Sequence, residues 1–191
     1  MRNWGATADE QAMTLPGDEV VPGPAEIITR AVSIEAPAAE AWRWLVQVGQ
    51  DRGGMYSYDR LDNLLGLHIH STSEIREEWQ HLTVGDQVWL IPRGWLGMPE
   101  GFALPVARIE AGQSIVLREQ PPAQPWDAVW SFHLIPLGER RCRLLSRSKA
   151  ARQHGLTRGI NATMDLVTLM MTRKMLLGIK ARAEQHVQTA A

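Results

Sequence analysis

The spacing of apolar and polar residues changes along the chain, and this change divides the chain into regions. Residues 26–36 contain several β-branched residues in partial alternation, which predicts a β-strand. Residues 37–48 place apolar side chains at helical spacing, with Pro37 at the first helical position and Gly49 where a C-cap is expected. One face of this predicted helix carries Ala41, Trp44, Leu45 and Val48.

Two shorter helices are predicted between this region and the next strand. Ser57 is a favourable N-cap for a helix that buries a stripe of leucines and stops at Gly66. Ser71 and Glu74 form a capping box, which predicts a further short helix extending through Trp79.

The strand period returns after these helices. Five strands are predicted, at residues 86–92, 103–111, 114–120, 128–137 and 141–149. The links at 111–113 and 137–141 have the composition of hairpin turns, which makes the strands that they join antiparallel. In the strand at 128–137, one face carries Trp130, Phe132 and Leu134. We expect that face to point inward, leaving Ser131 and His133 outside.

The two ends of the chain complete the predicted architecture. Residues 161–187 predict one long helix whose first half is apolar nearly all round and is therefore expected to be buried. Residues 1–24 predict an N-terminal arm with a short helix capped by Thr7 and Glu10, and residues 25–191 predict the main domain. The predicted fold is α+β, a curved antiparallel sheet wrapped around the long C-terminal α-helix, with two or three short helices after the first strand. The space between sheet and helix is a natural ligand cavity.

Composition limits the classes of function. The 191 residues suffice for one domain, and a net charge of -1 without a basic patch argues against a nucleic-acid partner. No apolar run approaches the roughly 20 residues of a membrane span, so no stable membrane association is expected. Residues 1–25 lack the apolar segment of a secretory signal, and the single cysteine, Cys142, cannot form an intramolecular disulfide. A cytoplasmic location is expected.

The order of elements and several motifs resemble the START-like (SRPBCC) superfamily of helix-grip proteins. The motifs are IEAPAAEAWRWLVQVG, VGDQVWL, WSFHLIPLGERRCRLLSRS and RKMLLGIKARAE. Within the superfamily, RGGMYSYDRLDNLLGLHIHS followed by EWQHLTVGD is similar to the bacterial polyketide cyclase/dehydrase-like proteins. The resemblance covers residues 5–187 and implies the helix-grip fold. It implies no catalytic residues, because the superfamily hosts transfer, binding and catalysis on one scaffold.

Eight Trp and eight Met, against two Tyr and two Phe, suit wide and adaptable apolar walls. Tyr56 and Tyr58 flank the Ser57 cap, at the end of the grip where cavities of this fold usually open. There they would offer a ring to an apolar ligand and a hydroxyl to its polar end, whereas the alternative packs both rings against the sheet. The expected ligand-binding residues are Tyr56, Tyr58, His70, Trp79, Trp89, Trp130, Phe132, Met164, Met171 and Met175.

Neither a metal nor any other cofactor is expected. In an extended segment His68 and His70 point the same way, but nothing in the spacing brings a third ligand to them. The glycines of residues 49–54 follow a helix and precede no lysine, whereas a phosphate-binding loop needs a strand before it and a helix N-terminus after it.

Three functions remain open. The leading hypothesis is the binding of a small, mostly apolar molecule of the fatty acyl, polyketide or isoprenoid type in an internal cavity. The second is a cyclase/dehydratase-type enzyme that uses Tyr56 or Tyr58 with a buried Arg or His. The third is an interaction module with a filled core.

Three cations lie in predicted strands. One that faced the cavity would pair with an acidic ligand group or with a buried Asp or Glu, and one that faced outward would be solvated. They are Arg118, Arg147 and Lys149. A catalytic role of His133 is disfavoured, because its side chain is expected to point outward.

Overall fold

The computed structural model describes residues 2–56, 71–95, 99–119, 127–151 and 158–190, except the side chains of residues 119, 158–167 and 190. The predicted helix after Ser57, the histidines His68 and His70, Tyr58 and the side chain of Met164 lie outside the described residues. The remaining strands and helices define the architecture.

Six strands in the described residues form one antiparallel sheet, in the order β1-β6-β5-β4-β3-β2. Their bounds are β1 Ala25–Ile34, β2 Gln87–Ile91, β3 Phe102–Glu110, β4 Ser114–Glu119, β5 Ala128–Pro136 and β6 Cys142–Ala151. The two predicted hairpins are confirmed, because β3 pairs with β4 and β5 pairs with β6. The first strand, β1, pairs along its whole length with the last strand, β6.

The α-helices of the described residues are α1 Ala8–Ala12, α2 Ala38–Val46 and α3 Arg158–Ala190, with a 3-10 turn at Glu77–Trp79. The long helix α3 packs against β1 and α2, and the curved sheet wraps around it. The predicted α+β helix-grip fold is therefore confirmed. Within the described ranges, no helix has the length and apolar character needed to cross a membrane.

The amphipathic pattern of α2 determines which of its faces is buried. Ala41, Trp44 and Leu45 are each at most 2% exposed, as predicted from their spacing. Pro37 takes the N-cap position and not the first helical position that was predicted for it, so the helix begins one residue later, at Ala38. This shift costs the helix little, because the first backbone N–H groups of a helix have no partner within the helix and proline simply lacks one of them.

Both faces of the sheet are covered. The inner face points toward α3 and forms one apolar core with it, which includes Val32, Ile34, Leu104, Val106, Leu117, Phe132, Leu134, Leu144, Met175, Leu176 and Ile179. The outer face is covered by the N-terminal arm, residues 2–24. Leu15 of the arm packs on Ala31 and Leu145, and Val21 packs on a separate patch of two valines, Val116 and Val129.

The arm is held to the outer face by the guanidinium of Arg147, which is 1% exposed. Its Nη1 atom donates to a carboxylate oxygen of Asp18 at 2.7 Å and to the carbonyl of Met13 at 2.6 Å. Its Nη2 atom donates to the carbonyl of Glu10 at 2.6 Å, and its Nε atom to the hydroxyl of Thr29 at 3.0 Å. A buried charge with an ionic partner and several oxygen acceptors fixes the path of the arm.

Ser131 and His133 point away from α3, as expected, but neither is exposed. Both are buried, at 1% and 4% exposure, because the arm covers the face of β5 opposite to Phe132. The His133 ring and the Ser131 hydroxyl share a hydrogen bond of 2.9 Å. Alternation in β5 identifies its two faces correctly, but it does not reveal that a distant segment buries the polar one.

The cations considered as possible cavity residues also lie on this outer face. Arg147 binds the arm, Lys149 donates to the carbonyl of Asp18, and Arg118 pairs with Asp127 at 3.5 Å. Their side chains therefore point away from α3.

The short helix predicted from the capping box at Ser71 and Glu74 is largely absent. Only the 3-10 turn at Glu77–Trp79 forms, and residues 71–76 are irregular. The hydroxyl of Ser71 accepts from the backbone N–H of Tyr56 at 3.0 Å, so it is not used for capping. The hydroxyl of Thr72 accepts from the N–H of Glu74 at 3.1 Å, which forms a local turn instead of a helix.

Two methionines of α3 provide a matched test of which face of this helix is buried. Met175 is 1% exposed and Met170 is 50% exposed. We expect Met175→Asp to unfold the domain, because an unpaired carboxylate in the core costs several kcal/mol, comparable with total stability. Met170→Asp should shift the melting temperature little. Equal melting temperatures of the two variants would contradict the assigned face.

The arm also makes stability depend on pH through His133. Burial, followed by the positive charge of Arg147, lowers the pKa of His133 to about 4. In the unfolded chain a histidine titrates near pH 6.5, so between about pH 6.5 and 4 the unfolded state binds a proton that the folded state does not. This group therefore stabilises the fold less as the pH falls, by about 3 kcal/mol over the whole window.

Urea unfolding at pH 7, 6, 5 and 4.5 measures this effect. His133→Gln removes the titrating group. As the pH falls, the unfolding free energy of the parent should therefore decrease relative to that of the variant. A difference that stays constant with pH would show that His133 is not buried as a neutral ring.

Candidate functional site

The inner face of the sheet is less covered at one end than at the other. Where β1 begins and β6 ends, the inner-face side chains of Ile28 and Ser148 are half-buried. So are Trp130 on β5, the neighbour of β6, and Phe102 on β3, two strands further along the sheet. At the other end of the same strands, Ile34 is fully buried. Apolar side chains at the first end thus remain open to further contact.

The direction of α3 explains this difference. Along the helix, Thr172 meets Arg30 of β1, Lys180 donates to the carbonyl of Ser33, and Glu184 accepts from the N–H of Glu35. The helix therefore runs alongside β1 in the same direction, and its C-terminal half covers the end of β1. The less covered end, at Ile28, lies beyond Thr172 toward the start of the helix.

A buried polar cluster lies next to this less covered end, two residues further along β1 than Ile28. Arg30 is 2% exposed, points to α3, and donates from Nη1 to the hydroxyl of Thr172 at 3.3 Å. Ser146 lies directly opposite Arg30 in the register of β1 and β6, and its Oγ accepts from the indole Nε1 of Trp130 at 2.8 Å. Facing residues in such a pair have side chains about 5 Å apart. A guanidinium and two hydroxyls are thus grouped inside an otherwise apolar face.

Sequence reasoning missed Arg30, although a signal was present. In β1 the residues that share a face are Ile28, Arg30, Val32 and Ile34, so the arginine interrupts an apolar row at an inward position. A charged residue at a core position of a strand is uncommon unless it is paired.

Tyr56 lies in a second polar cluster, away from Arg30. Its hydroxyl accepts from Nε2 of Gln47 at 2.8 Å, and Gln47 is fully buried. The same nitrogen donates to the carbonyl of Glu74 at 3.1 Å, while Oε1 of Gln47 accepts from Gln80 at 3.2 Å. Burial is the main reason that the pKa of Tyr56 is raised to about 12, with the Gln47 bond acting in the opposite direction. The phenol therefore stays protonated at neutral pH.

The ring and backbone of Tyr56 are packed tightly against α3. The Arg182 guanidinium lies 4.4 Å from the ring centroid, and Trp44 makes an edge contact at 6.2 Å. The backbone of Tyr56 has a φ of 51°, and a Cβ on Gly178 would lie 2.4 Å from its carbonyl oxygen. This close approach requires a glycine in α3.

The structure brings together some of the predicted ligand-binding residues and not others. Tyr56, Phe132 and Met175 belong to one core cluster, against which Trp130 packs. Met171 is half-buried, next to Thr172. Trp79 and Trp89 do not belong to that cluster. Each stacks with an arginine, at 5.0 Å from Arg76 and 4.9 Å from Arg93, respectively. Tyr58, His70 and the Met164 side chain are outside the described residues.

Other side chains that could carry chemistry lie outside these two polar clusters. In the part of the chain that the structure describes, no three His, Cys, Asp or Glu residues are grouped to hold a metal ion. The pKa of Cys142 is raised to about 11, mainly by burial, so its thiol stays protonated at neutral pH. His133 faces the arm on the side of the sheet opposite to Arg30.

Comparison with known proteins supports the fold. No protein-family model matches the chain, and no curated protein matches it significantly in sequence. A point mutant of norcoclaurine synthase from Thalictrum flavum, in complex with a transition-state analogue, is similar in structure. Its TM-score is 0.53 at 14% identity, and the match covers 87% of this chain and 98% of that one.

Two proteins named as aromatase/cyclase or ARO/CYC are also similar in structure. The Zhui aromatase/cyclase from Streptomyces sp. R1128 has a TM-score of 0.51 at 15% identity, over 88% of this chain and 99% of that one. The di-domain ARO/CYC BexL from the BE-7585A biosynthetic pathway has a TM-score of 0.50 at 13% identity, over 83% of this chain and 46% of that one. At such identities the likeness establishes the helix-grip fold that the sequence resemblance implies.

The contact between Tyr56 and α3 can be tested at Gly178. In an ordinary helix Gly→Ala stabilises by about 1 kcal/mol. Here the added methyl group would collide with the Tyr56 backbone, so we expect Gly178→Ala to lower the unfolding free energy by roughly 1–3 kcal/mol. Gln185→Ala, on an exposed position of the same helix, should change little. A Gly178→Ala protein more stable than the parent in urea unfolding would disprove the close approach.

Proposed function

We propose that this chain, a helix-grip protein with the fold of the START-like superfamily, binds a small, mostly apolar molecule on the inner face of its sheet, next to α3. The observation that carries the proposal is the set of half-buried inner-face side chains at one end of the sheet: Ile28, Phe102 and Trp130. Large apolar side chains that point into a fold and stay partly uncovered gain free energy when an apolar molecule covers them. A fatty acyl, polyketide or isoprenoid compound has this character.

The similar structures are consistent with such a role. The norcoclaurine synthase variant is in complex with a transition-state analogue, so a protein of this fold accommodates a small organic molecule. The two aromatase/cyclases are named for reactions on small molecules. We extend from these proteins the capacity to bind a small molecule, and no particular reaction.

Among the residues that the structure describes, which do not include Tyr58, the state of the candidate acid–base groups favours binding over the cyclase/dehydratase hypothesis. With a pKa of about 12, Tyr56 is poorly matched to proton transfer near neutral pH, and its hydroxyl is engaged by Gln47. His133 lies on the outer face of the sheet, under the arm. The half-buried inner face, in turn, argues against an interaction module with a filled core.

A titration with a fluorescent fatty-acid analogue tests the proposal. Trp130 lies on the inner face, so energy transfer from tryptophan to a bound probe should rise and saturate at micromolar probe. An unlabelled fatty acid should displace the probe. Absence of a saturable, competable signal for fatty acyl, polyketide and isoprenoid probes alike would refute the proposed function.

A pair of adjacent isoleucines locates the site. Ile28 points to the inner face and is half-buried, whereas Ile27 points away and is 44% exposed. Ile28→Gln should weaken probe binding roughly fivefold, the equivalent of about 1 kcal/mol of lost apolar contact. Ile27→Gln is the matched control and should bind like the parent. Equal effects of the two substitutions would place the ligand elsewhere.

A further inference from the structure

The first residues of the arm, 2–4, lie beside the less covered end of the sheet, and we call them the strap. Strand β1 is an edge strand, so the backbone groups on its outer side have no neighbouring strand to pair with. The N–H of Thr29 donates instead to the side-chain oxygen of Asn3 at 2.9 Å. The N–H of Ala31 donates to the carbonyl of Trp4 at 3.0 Å. The strap therefore runs along the first half of β1.

The second half of the same edge is bound by α3. Lys180 donates to the carbonyl of Ser33, and Glu184 accepts from the N–H of Glu35. The edge of β1 is thus bound by a long helix toward the covered end and by the strap toward the less covered end.

Trp4 connects the strap to α3. Its indole is half-buried and packs against the core cluster, and the guanidinium of Arg173 lies 5.2 Å from the ring centroid. Arg173 directly follows Thr172, the residue of α3 that meets Arg30 of β1. The indole therefore lies between the edge of β1 and the helix, where it closes the side of the inner face.

The strap ends at a fixed point, Gly5. Its φ is 73°, and a Cβ there would lie 2.1 Å from the carbonyl oxygen of Ala31, so only glycine fits. Its carbonyl accepts from Arg143, whose guanidinium also binds the carboxylate of Glu10. The strap, by contrast, makes its contacts at the edge of the sheet and with the exposed side chain of Arg173. Contacts near solvent open at a lower free energy than contacts in the core.

We propose that the strap is a gate, which opens about Gly5 to admit a molecule to the inner face between β1 and α3 and closes over it with the indole of Trp4. Opening breaks the two hydrogen bonds to β1 and moves the indole away from Arg173, while the rest of the arm stays bound to Arg147. This inference rests on the proposed function, since it names the control of access to the same face.

Hydrogen exchange tests the opening without any ligand. The N–H of Ala31 bonds to the strap, whereas the N–H of Arg30 points to β6, because successive residues of an antiparallel strand face opposite sides. The protection factor of Ala31 should be at least about tenfold lower than that of Arg30. Equal protection of the two amides would show that the strap opens only when the sheet unfolds, and the inference would then be wrong.

Binding kinetics of the fluorescent fatty-acid analogue, measured by stopped flow, test the gate. Trp4→Ala leaves the side of the inner face open, so the association and dissociation rate constants should both rise at least about fivefold, with less than a threefold change in Kd. A rise in the dissociation rate constant alone would make Trp4 a ligand contact and overturn the gate. A parent protein that binds no probe refutes the proposed function. Binding with rate constants equal in parent and variant refutes only the gate.

Two arginines that stack on tryptophans provide a matched pair. Arg173→Gln keeps the indole of Trp4 and removes its cation, so both rate constants should rise roughly two- to fivefold, the equivalent of one exposed cation–π contact. Arg93→Gln removes a cation 4.9 Å from the ring of Trp89 and should leave both unchanged. Melting temperatures confirm folding. If Trp4→Ala does not fold, Arg173→Gln and Asn3→Ala decide. Unchanged rate constants in every folded strap variant would show that the strap only covers the edge of β1.

Discussion

The sheet is covered on both faces, and the rest of the structure follows from this constraint. A strand between two covers cannot send its polar side chains to water, so each must find partners inside the protein. Two neighbouring arginines show the two outcomes. Arg147 points outward and is bound by Asp18 and by carbonyls of the arm, all within 2.7 Å. Arg30 points inward and meets the hydroxyl of Thr172 on α3. The first arginine holds the arm, whereas the second lies between β1 and α3.

The sequence predicts the elements because their patterns are local. Alternation identifies the strands from β1 to β6, and helical spacing identifies the buried face of α2, since each depends on residues a few positions apart. The predictions that failed depend on distant contacts. Ser131 and His133 are polar, and only the arm, more than a hundred residues earlier, buries them. The hydroxyl of Ser71 looks like a helix cap, but it is occupied by the N–H of Tyr56.

The candidate site was predictable in its apolar part and not in its polar part. The abundance of Trp and Met indicated wide apolar walls, and Trp130, Phe132 and Met175 do lie in or against one core cluster. The sequence leaves the faces of Arg118 and Arg147 open, because strand alternation assigns a face only after the inward row is known. In β1 that row was readable from its three apolar members, and Arg30 sits among them. A charged residue that interrupts an apolar row therefore indicates an inward-pointing charge more clearly than a charged residue in a polar row does.

The tight packing of Tyr56 bears on where a molecule reaches the inner face. Tyr56 contacts Gly178 and Arg182, in the half of α3 that covers the end of β1, so it lies toward the covered end of the sheet. Its hydroxyl and backbone are fixed by Gln47 and Ser71. Displacing this residue would break those bonds and shift α3, which makes it a poor gate. At the less covered end, by contrast, Ile28 and Ser148 are only half-buried. A molecule that arrived there would first meet the half-buried apolar side chains of Ile28 and Trp130.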